Sequence, residues 1–292
     1  MRVYLKPPQP SRGLERIATA LRRYAPPDVE VVSAQAEADL VILYAIGRCE
    51  ALLREADAIW SRVRKYAVIQ VCLRSTQKPH TSNWLPLWDK ATVIWSYYDL
   101  RRAMEEDSIY YRLNDNFYHA PLGADASVFY PRGANQFGYY IIATSGLSRL
   151  SESVRECILA AKQVDWYVLH IGAWMKGTED CLVDVDDEEL ACGYSNCHFV
   201  SGLRRTEGFE LPAIEGLLCG ARPIVFNTPD YKWNYGDHAE YIQETDRQGV
   251  VEQLVQLFRR GARPVTEEEL QRARQRYNWE TIIDGFWQRA LA

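Results

Sequence analysis

The most informative part of the chain is residues 204–225, RRTEGFELPAIEGLLCGARPIV. The apolar segment 198–201 just before it is typical of a short strand. Pro212 suits the first turn of a helix, because its missing N–H needs no intrahelical partner there. Gly220 suits the position just after a helix, where φ is often positive. The pattern therefore predicts a strand, a loop, a helix over 212–219 and a strand over 222–226.

The start of this predicted helix is a candidate binding site for a diphosphate, because its first N–H groups have no intrahelical partners. Gly208 leaves room for a ligand to approach the backbone. Glu207 and Glu215 flank the helix start. Two carboxylates would repel a phosphate, so their presence here indicates that they bind a neutral group of the same ligand. Sugar and ribose hydroxyls are neutral donors that form strong hydrogen bonds to carboxylates. These residues therefore indicate a sugar nucleotide rather than a simple phosphate ester.

Strand-like and helix-like segments alternate along nearly the whole chain, which predicts an α/β fold with parallel sheets. Ligands of such sheets bind beyond the carboxyl ends of the strands. The predicted strands are 2–5, 29–32, 39–45, 66–73, 91–96, 117–121, 139–143, 166–171, 198–201 and 222–226. The predicted helices are 13–24, 49–65, 98–106, 151–163, 187–194, 212–219, 250–259, 266–277 and 279–291.

Proline and glycine punctuate residues 121–133, which makes this segment the predicted linker between two domains. We expect an N-terminal domain over 1–125 and a C-terminal domain over 126–278. The final helix, 279–292, is expected to pack back towards the N-terminal domain. A length of 292 residues suits two domains of ordinary size.

The composition is that of a globular protein, since 47% of the residues are hydrophobic and 25% are charged. Apolar runs stay below the roughly 18 residues needed to cross a bilayer, and the first residues lack the apolar core of a signal peptide. We therefore expect a cytoplasmic protein without a transmembrane segment. The net charge of −5 is uneven, because the first 125 residues are mildly basic.

Metal and disulfide sites are not expected. Seven cysteines, an odd number without a Cys-x-x-Cys pair, argue against a disulfide framework. Asp184 and Asp186 have the Asp-x-Asp spacing of a metal clamp, but they lie in an acidic loop before a predicted helix. Zinc ligands come in tight pairs, which the nearest candidates lack: Cys181, Cys192, Cys197 and His198. We expect neither a metal nor a cofactor.

Glu207 and Glu215, separated by seven residues, match the paired-glutamate motif of retaining GT-B glycosyltransferases. The residues around them resemble glycosyltransferase family 4, which commonly has Gly where this chain has Glu210. The resemblance is strong over 117–292 and weak over 1–116. It implies a GT-B fold, in which two Rossmann-like domains with parallel sheets face each other across a cleft.

The resemblance also implies roles for individual residues. Glu215 would hold the donor ribose, and Glu207 would contact the transferred sugar. Further contacts to the sugar and the phosphates are implied for the loop, the helix start and small residues near strand ends: Gly208, Phe209, Glu210, Leu211, Gly146 and, facing them across the cleft, Gly13.

The family neutralises the leaving diphosphate with an Arg and a Lys after the first strand of the donor domain. Arg149 matches the Arg, but the segment 151–153 has no Lys. A guanidinium binds phosphate oxygens in bidentate fashion, so we infer that Arg204 and Arg205 replace the missing Lys. The four residues expected to act in catalysis are Glu207, Arg149, Arg204 and Arg205.

The acceptor side is less well defined. Where the family often carries a His after the strand at 66–73, this chain has Arg74, with His80 a few residues further on. Both are acceptor-side candidates. The predicted activity is retaining transfer of a hexose from a UDP-glucose-like or GDP-mannose-like donor to a hydroxyl of a glycan, lipid or metabolite. The oligomeric state is not indicated.

Two alternatives stay open. A non-catalytic module that binds a nucleotide sugar is compatible with the departures at Glu210 and at the missing Lys and His. A phage-type DNA base glycosyltransferase is compatible with the basic excess and the aromatic residues of the first half, although nucleic acid is not favoured without a strong basic stripe. The aromatic residues, a candidate stacking platform, are Trp84, Trp88, Trp95, Tyr97 and Tyr98.

Overall fold

The computed structural model describes residues 1–6, 12–46, 49–63, 65–73, 81–109, 116–133, 138–146, 152–205 and 207–292, without the side chains of Cys49 and Thr81. The chain forms two compact units. Unit 1 consists of Met1–Leu122 and Trp279–Ala292, and unit 2 consists of Gly123–Asn278. The chain thus leaves unit 1 once and returns to it with its last helix.

Twelve strands and eleven helices are present among the described residues. The strands are β1 (Arg2–Leu5), β2 (Glu30–Val31), β3 (Leu40–Ala45), β4 (Tyr66–Gln70), β5 (Ile94–Ser96), β6 (Phe117–His119), β7 (Ile141–Ser145), β8 (Tyr167–Ile171), β9 (Asp180–Leu182), β10 (Phe199–Ser201), β11 (Arg222–Phe226) and β12 (Glu240–Ile242). The helices are α1 (Arg12–Arg23), α2 (Cys49–Arg62), α3 (Leu85–Asp89), α4 (Leu100–Glu106), α5 (Val154–Gln163), α6 (Asp187–Ser195), α7 (Leu211–Leu218), α8 (Pro229–Tyr235), α9 (Arg247–Arg260), α10 (Glu267–Arg276) and α11 (Trp279–Leu291).

Unit 1 is built on a parallel sheet with the strand order β2-β1-β3-β4-β5-β6. The central strands β3 and β4 are buried along their whole length, which is typical of parallel strands covered on both faces. Helix α1 buries an apolar stripe at helical spacing, formed by Leu14, Ile17, Ala18 and Leu21.

Helix α11 completes unit 1, where it contacts α1 and β6. The Tyr118 hydroxyl on β6 donates a hydrogen bond to the carbonyl of Ile282 at 3.0 Å. Gly285 faces the same hydroxyl, and a Cβ at this position would lie 2.5 Å from it. Trp95 packs its ring against Phe286 at a centroid distance of 5.8 Å. The last helix is therefore part of the core of unit 1.

Unit 2 contains the second parallel sheet, with the strand order β12-β11-β10-β7-β8-β9. The chain runs outward from β7 to β9 and then returns to the other side of β7 to form β10. The connections after β7 and β10 therefore leave the sheet in opposite directions. The crevice beyond the carboxyl ends of two such strands is where doubly wound sheets bind ligands; it is called the switch point below.

A buried ion pair joins the start of β11 to α10. The Arg222 guanidinium is fully buried and makes two hydrogen bonds of 3.0 Å to the Glu269 carboxylate. Its other N–H groups donate to the carbonyls of His238, Arg263 and Pro264 at 3.0, 3.1 and 2.8 Å. All five N–H groups are thus hydrogen-bonded. These bonds from Arg222 hold the pKa of Glu269 well below its usual range, against the opposing effect of burial.

The five aromatic side chains considered as a stacking platform in the first half are all buried, none more than 5% exposed. Their polar atoms bond to protein groups; Trp88, for example, donates to the Gln70 side chain at 2.9 Å. These rings therefore belong to the core of unit 1 and do not form an exposed stacking platform. Among the described residues, no helix is long and apolar enough to span a membrane.

Glu269→Ala should destabilise the fold by about 3–5 kcal/mol, because it leaves Arg222 buried without its counter-ion. Arg263→Ala is the matched control. It removes a half-exposed partner of the same carboxylate, 2.8 Å away, and should cost less than about 1 kcal/mol. Urea unfolding at pH 7 measures both. Because the folded pKa of Glu269 is lowered, its contribution is present at neutral pH and is lost as the pH falls below the ordinary value of 4.5. Equal losses in the free energy of unfolding for Glu269→Ala and Arg263→Ala would contradict the assigned importance of the buried ion pair.

Candidate donor-binding site

The sequence motif lies at the carboxyl end of β10. Helix α7 begins at Leu211, with Glu210 in an extended conformation as the N-cap residue and Pro212 in the first turn. Gly220 follows the helix with a φ of 95°, as predicted for a glycine just past a helix end. The predicted order of strand, loop, helix and strand is therefore confirmed, with a shift of one residue in the helix bounds.

Two glycines let α7 approach the sheet closely. A Cβ on Gly216 would lie 2.6 Å from Cγ1 of Val200, and one on Gly202 would lie 3.0 Å from Cβ of Ala213. Both distances are shorter than those between atoms in ordinary van der Waals contact. The absence of side chains at these positions thus sets the separation of α7 from β10, and it fixes the helix start at the end of that strand.

Helix α8 holds the loop that precedes α7. The Tyr235 hydroxyl accepts a hydrogen bond from the backbone N–H of Glu210 at 2.9 Å and donates to its carbonyl at 2.8 Å. The Asn234 side chain donates to the carbonyl of Gly208 at 2.8 Å. Phe209 is buried, and its ring stacks on Tyr235 at 5.7 Å. The loop backbone is therefore fixed from one side by α8, and Phe209 belongs to the core.

The acidic residues of the motif have different surroundings. Glu215 is buried within α7, only 2% exposed, whereas Glu207 is half-buried in the loop. Burial raises the pKa of Glu210 to about 8, Arg204 opposes this shift, and Glu207 and Glu152 add to it. Glu207, Glu210 and Glu152 therefore act on one another electrostatically, and Glu210 is largely protonated at pH 7.

Both predicted phosphate-binding arginines of the loop are ion-paired. Arg204 places Nη2 3.3 Å from Oε1 of Glu152 and Nη1 3.4 Å from Oε1 of Glu210. Arg205 pairs with Glu244 at 3.2 Å, and its guanidinium lies over the ring of Phe226. Neither guanidinium is positioned for phosphate alone, so a diphosphate has to compete with carboxylates for it.

The connections after β7 and β10 meet at the switch point. Glu152 forms an isolated bridge with Arg204, and the N–H of Ser153 donates to the carbonyl of Leu203 at 2.9 Å. Gly146 directly follows β7, and a Cβ there would lie 3.3 Å from Cγ of Glu152. The structure thus brings Gly146 together with Glu152 and Arg204. Sequence analysis did not single out Glu152, which lies before α5 in the segment 151–153 where the resemblance led us to look for a Lys.

His170 is a second residue of the switch point to which sequence analysis gave no role. It is 1% exposed, and its Nδ1 lies 3.0 Å from the hydroxyl of Thr144. Its Nε2 is buried and has no hydrogen-bond partner among the described residues. A Cβ on Gly172, whose φ is 131°, would lie 3.5 Å from this nitrogen and 3.2 Å from the carbonyl of Gly146. Burial lowers the pKa of His170, so the imidazole is neutral at pH 7.

The remaining predicted site residues lie elsewhere. Gly13 belongs to the first turn of α1 in unit 1, rather than to a loop before the helix. Arg149, Arg74 and His80 lie outside the described residues. Asp186, of the Asp-x-Asp segment, caps α6 through a capping box with Glu189. No group of three or more potential metal ligands is found within the described part of the chain.

No protein-family model matches the chain, and no curated protein matches it in sequence. Solved structures do match it along most of its length. HepE from Anabaena, solved with UDP and glucose, gives a TM-score of 0.70 at 12% identity and covers 98% of both chains. Sucrose-phosphate synthase from Thermosynechococcus elongatus gives 0.66 at 14% identity, covering 86% of this chain and 72% of that one. AviGT4, a glycosyltransferase involved in avilamycin A biosynthesis, gives 0.64 at 10% identity, covering 99% and 96%.

These likenesses, at low identity, show the fold. The predicted fold class, α/β with two Rossmann-like parallel sheets of the GT-B type, is confirmed.

Gly216→Ala should destabilise the protein by about 1–3 kcal/mol, because the new methyl group collides with Val200. A loss of stability would be diagnostic of this collision, because replacing Gly by Ala inside a helix otherwise stabilises a protein by about 1 kcal/mol. The Val200→Ala variant makes room for the methyl group, so the double variant should be more stable than the sum of the two single effects. Urea unfolding of the four proteins tests this coupling, and strict additivity would contradict the proposed contact.

Glu210→Gln should make folding stability less sensitive to pH below about 8. The folded pKa of Glu210, about 8, lies above the ordinary value of 4.5. The folded state therefore keeps a proton that the unfolded chain has lost, and stability falls as the pH rises from 4.5 to about 8, where the loss levels off. The amide cannot ionise, so the advantage of the variant over the wild type should grow between pH 5 and pH 8 in urea unfolding and stay constant above. Glu240→Gln, which removes the partner of exposed Arg260, is the control in which no such growth is expected.

Proposed function

We propose that this chain is a glycosyltransferase that transfers a hexose from a nucleoside-diphosphate sugar to a hydroxyl acceptor with retention of anomeric configuration. One observation carries the proposal: the loop Glu207–Glu210 and the start of α7 lie at the switch point of a GT-B fold. The structures solved for HepE, with UDP and with UDP and glucose, support a uridine diphosphate donor.

The groups at the switch point suit the parts of such a donor. The N–H groups at the start of α7 offer hydrogen bonds and a partial positive charge to the diphosphate. Glu215 on α7 is proposed to accept hydrogen bonds from the ribose hydroxyls, and Glu207 from the hydroxyls of the transferred sugar. Gly146 and Gly208 add no side chains, so the diphosphate can approach the backbone there.

During transfer, the bond between the anomeric carbon and the diphosphate oxygen breaks, and the diphosphate leaves with the electron pair. The oxygen of the acceptor hydroxyl forms the new bond to the anomeric carbon, and its proton passes to the departing diphosphate. Negative charge grows on the leaving diphosphate, so positive groups already oriented towards it lower the barrier. We propose that the helix start, Arg149 and Arg204 supply this stabilisation without a bound metal. Arg205 is the weaker candidate, because it is held by Glu244 and Phe226.

A non-catalytic module that binds a nucleotide sugar is the second candidate, and the contacts of Arg204 with Glu152 and Glu210 favour it. The hypothesis of a DNA acceptor loses one supporting feature, because the aromatic residues of the first half are buried and cannot stack on bases. Incubation with UDP, ADP and GDP sugars, followed by native mass spectrometry of bound ligand and an assay of donor hydrolysis, separates the candidates. Binding of a nucleotide sugar together with its slow hydrolysis indicates the enzyme. Binding without hydrolysis indicates the non-catalytic module, and the absence of binding rejects both candidates.

Glu215→Gln should weaken binding of UDP-glucose by about tenfold or more, because an amide replaces a carboxylate that accepts hydrogen bonds from two neighbouring hydroxyls. The substitution preserves volume at a buried position, so thermal unfolding should show that the fold is intact. Isothermal titration calorimetry measures the affinity. Glu240→Gln removes a carboxylate from β12, the strand at one edge of the sheet of unit 2, and should bind like the wild type. Unchanged affinity in Glu215→Gln would count against the assignment of the donor site.

A further inference from the structure

Two helices of unit 2 begin at the switch point, and a glutamate accompanies each start. Glu210 is the N-cap residue of α7, and Glu152 lies two residues before Val154, where α5 begins. A helix N-terminus carries a partial positive charge, so a carboxylate beside it is stabilised. The same partial charge attracts phosphate. The two glutamic acid side chains therefore occupy positions that a diphosphate also favours.

Arg204 connects these two side chains. Its guanidinium lies 3.3 Å from the Glu152 carboxylate and 3.4 Å from the Glu210 carboxylate. Both acids are more deeply buried than the arginine, with side-chain exposures of 7% and 12% against 32%. Charges act more strongly on one another where water is excluded. In the empty protein, Arg204 is thus held between the starts of α5 and α7.

The start of α5 also contains an unused polar group. Ser153 is its N-cap residue, but its side chain makes no capping hydrogen bond. The hydroxyl oxygen is buried, and no hydrogen-bond partner for it occurs among the described residues, although the residue is only 2% exposed. Native proteins pair most buried hydroxyl groups. A ligand oxygen that reaches the start of α5 would give Ser153 the partner that it lacks here.

We propose that Glu152 and Glu210 are positioning residues that hold Arg204 in the donor-free protein and release it to the donor diphosphate, and that the donor binds to the protonated form of Glu210. This inference rests on the proposed function, because it assumes that a nucleoside-diphosphate sugar occupies the switch point. It assigns a role to the glutamate that stands where the family that the motif resembles commonly has glycine.

The proton uptake follows from the charges that face Glu210. Arg204 lowers its pKa, whereas burial, Glu207 and Glu152 raise it to about 8. Donor binding withdraws Arg204 and brings the negative diphosphate close, and both changes favour the protonated carboxyl. Above pH 8 the free protein has lost this proton, so donor binding has to restore it and affinity falls with rising pH.

The other titratable groups that face Glu210 do not compete for this proton. Tyr231 and Tyr235 on α8 interact electrostatically with the carboxyl group, and the Tyr235 hydroxyl bonds to the Glu210 backbone. Burial raises the pKa of both phenols well above the ordinary value, so they stay protonated throughout the range of the experiment. The linkage is therefore assigned to Glu210.

The test is the affinity for UDP-glucose between pH 7 and pH 9, a range in which the charge of its diphosphate is constant. Wild-type affinity should fall about tenfold from pH 7 to pH 9, as the linkage of one proton requires. Glu210→Gln should remove this fall, because the amide carries no titrating proton. Glu152→Gln should instead move the fall to lower pH, since Glu152 raises the pKa of Glu210. Glu240→Gln should behave like the wild type.

Calorimetry at pH 8 in two buffers with different ionisation enthalpies gives a direct count of protons. The wild type should take up about half a proton per donor bound, and Glu210→Gln should take up none. Donor binding without pH dependence in the wild type would overturn the inference and leave the proposed function standing. The same slope in Glu210→Gln would also overturn it. If UDP-glucose binds to neither protein at any pH, the proposed donor site fails and this inference fails with it.

Discussion

Helix α7 approaches β10 closely because Gly216 has no side chain to collide with Val200. A short loop joins the two elements, so the depth of this packing also sets where the helix begins. The N-cap position of Glu210 and the place of Glu207 in the loop both follow from it. The strand order adds the second constraint, because β10 returns beside β7 and leaves a crevice at their carboxyl ends. The geometry of the candidate site therefore depends on one helix and strand contact within a doubly wound sheet.

The electrostatics of the site are governed by carboxylates rather than by free cations. Arg204 and Arg205 are each engaged by glutamates, and Glu210 is buried enough to retain its proton at neutral pH. Such a site suits a ligand that combines negative phosphates with many neutral hydroxyls. The phosphates gain from the helix start, and the hydroxyls gain from the acids that a bare phosphate ester would find repulsive. The preference for a sugar nucleotide that the motif predicts is thus compatible with the contacts observed around Arg204 and Glu210.

Local patterns in the sequence predicted much of the fold. Long apolar runs such as β3, and the Pro212 and Gly220 signals at the ends of α7, depend on neighbours along the chain and are legible without coordinates. Elements β9, β12, α3 and α8 were not predicted. Strand β9 has three residues in a polar setting, and the Pro, Asp and Asn residues of α8 are typical of turns.

The missed features of the site have a common physical origin. The pairing of Arg204 with Glu152 joins residues far apart in sequence, so the motif alone could not show that this guanidinium is engaged. The role of α8 in holding the loop also arises only from tertiary packing. The surroundings of His170 are also set by tertiary packing: its Nδ1 meets the Thr144 hydroxyl, whereas its buried Nε2 has no hydrogen-bond partner among the described residues.

The return of α11 to unit 1 has a consequence for how the chain is made. Unit 2 is a continuous insertion, whereas the core of unit 1 is assembled from the segments before and after it. During synthesis, unit 2 emerges complete before Phe286 and Trp287 are available to cover the ring of Trp95 and its neighbours. Domains generally fold as units as they leave the ribosome. Unit 1 would then keep an apolar surface exposed until residues 279–292 have been synthesised.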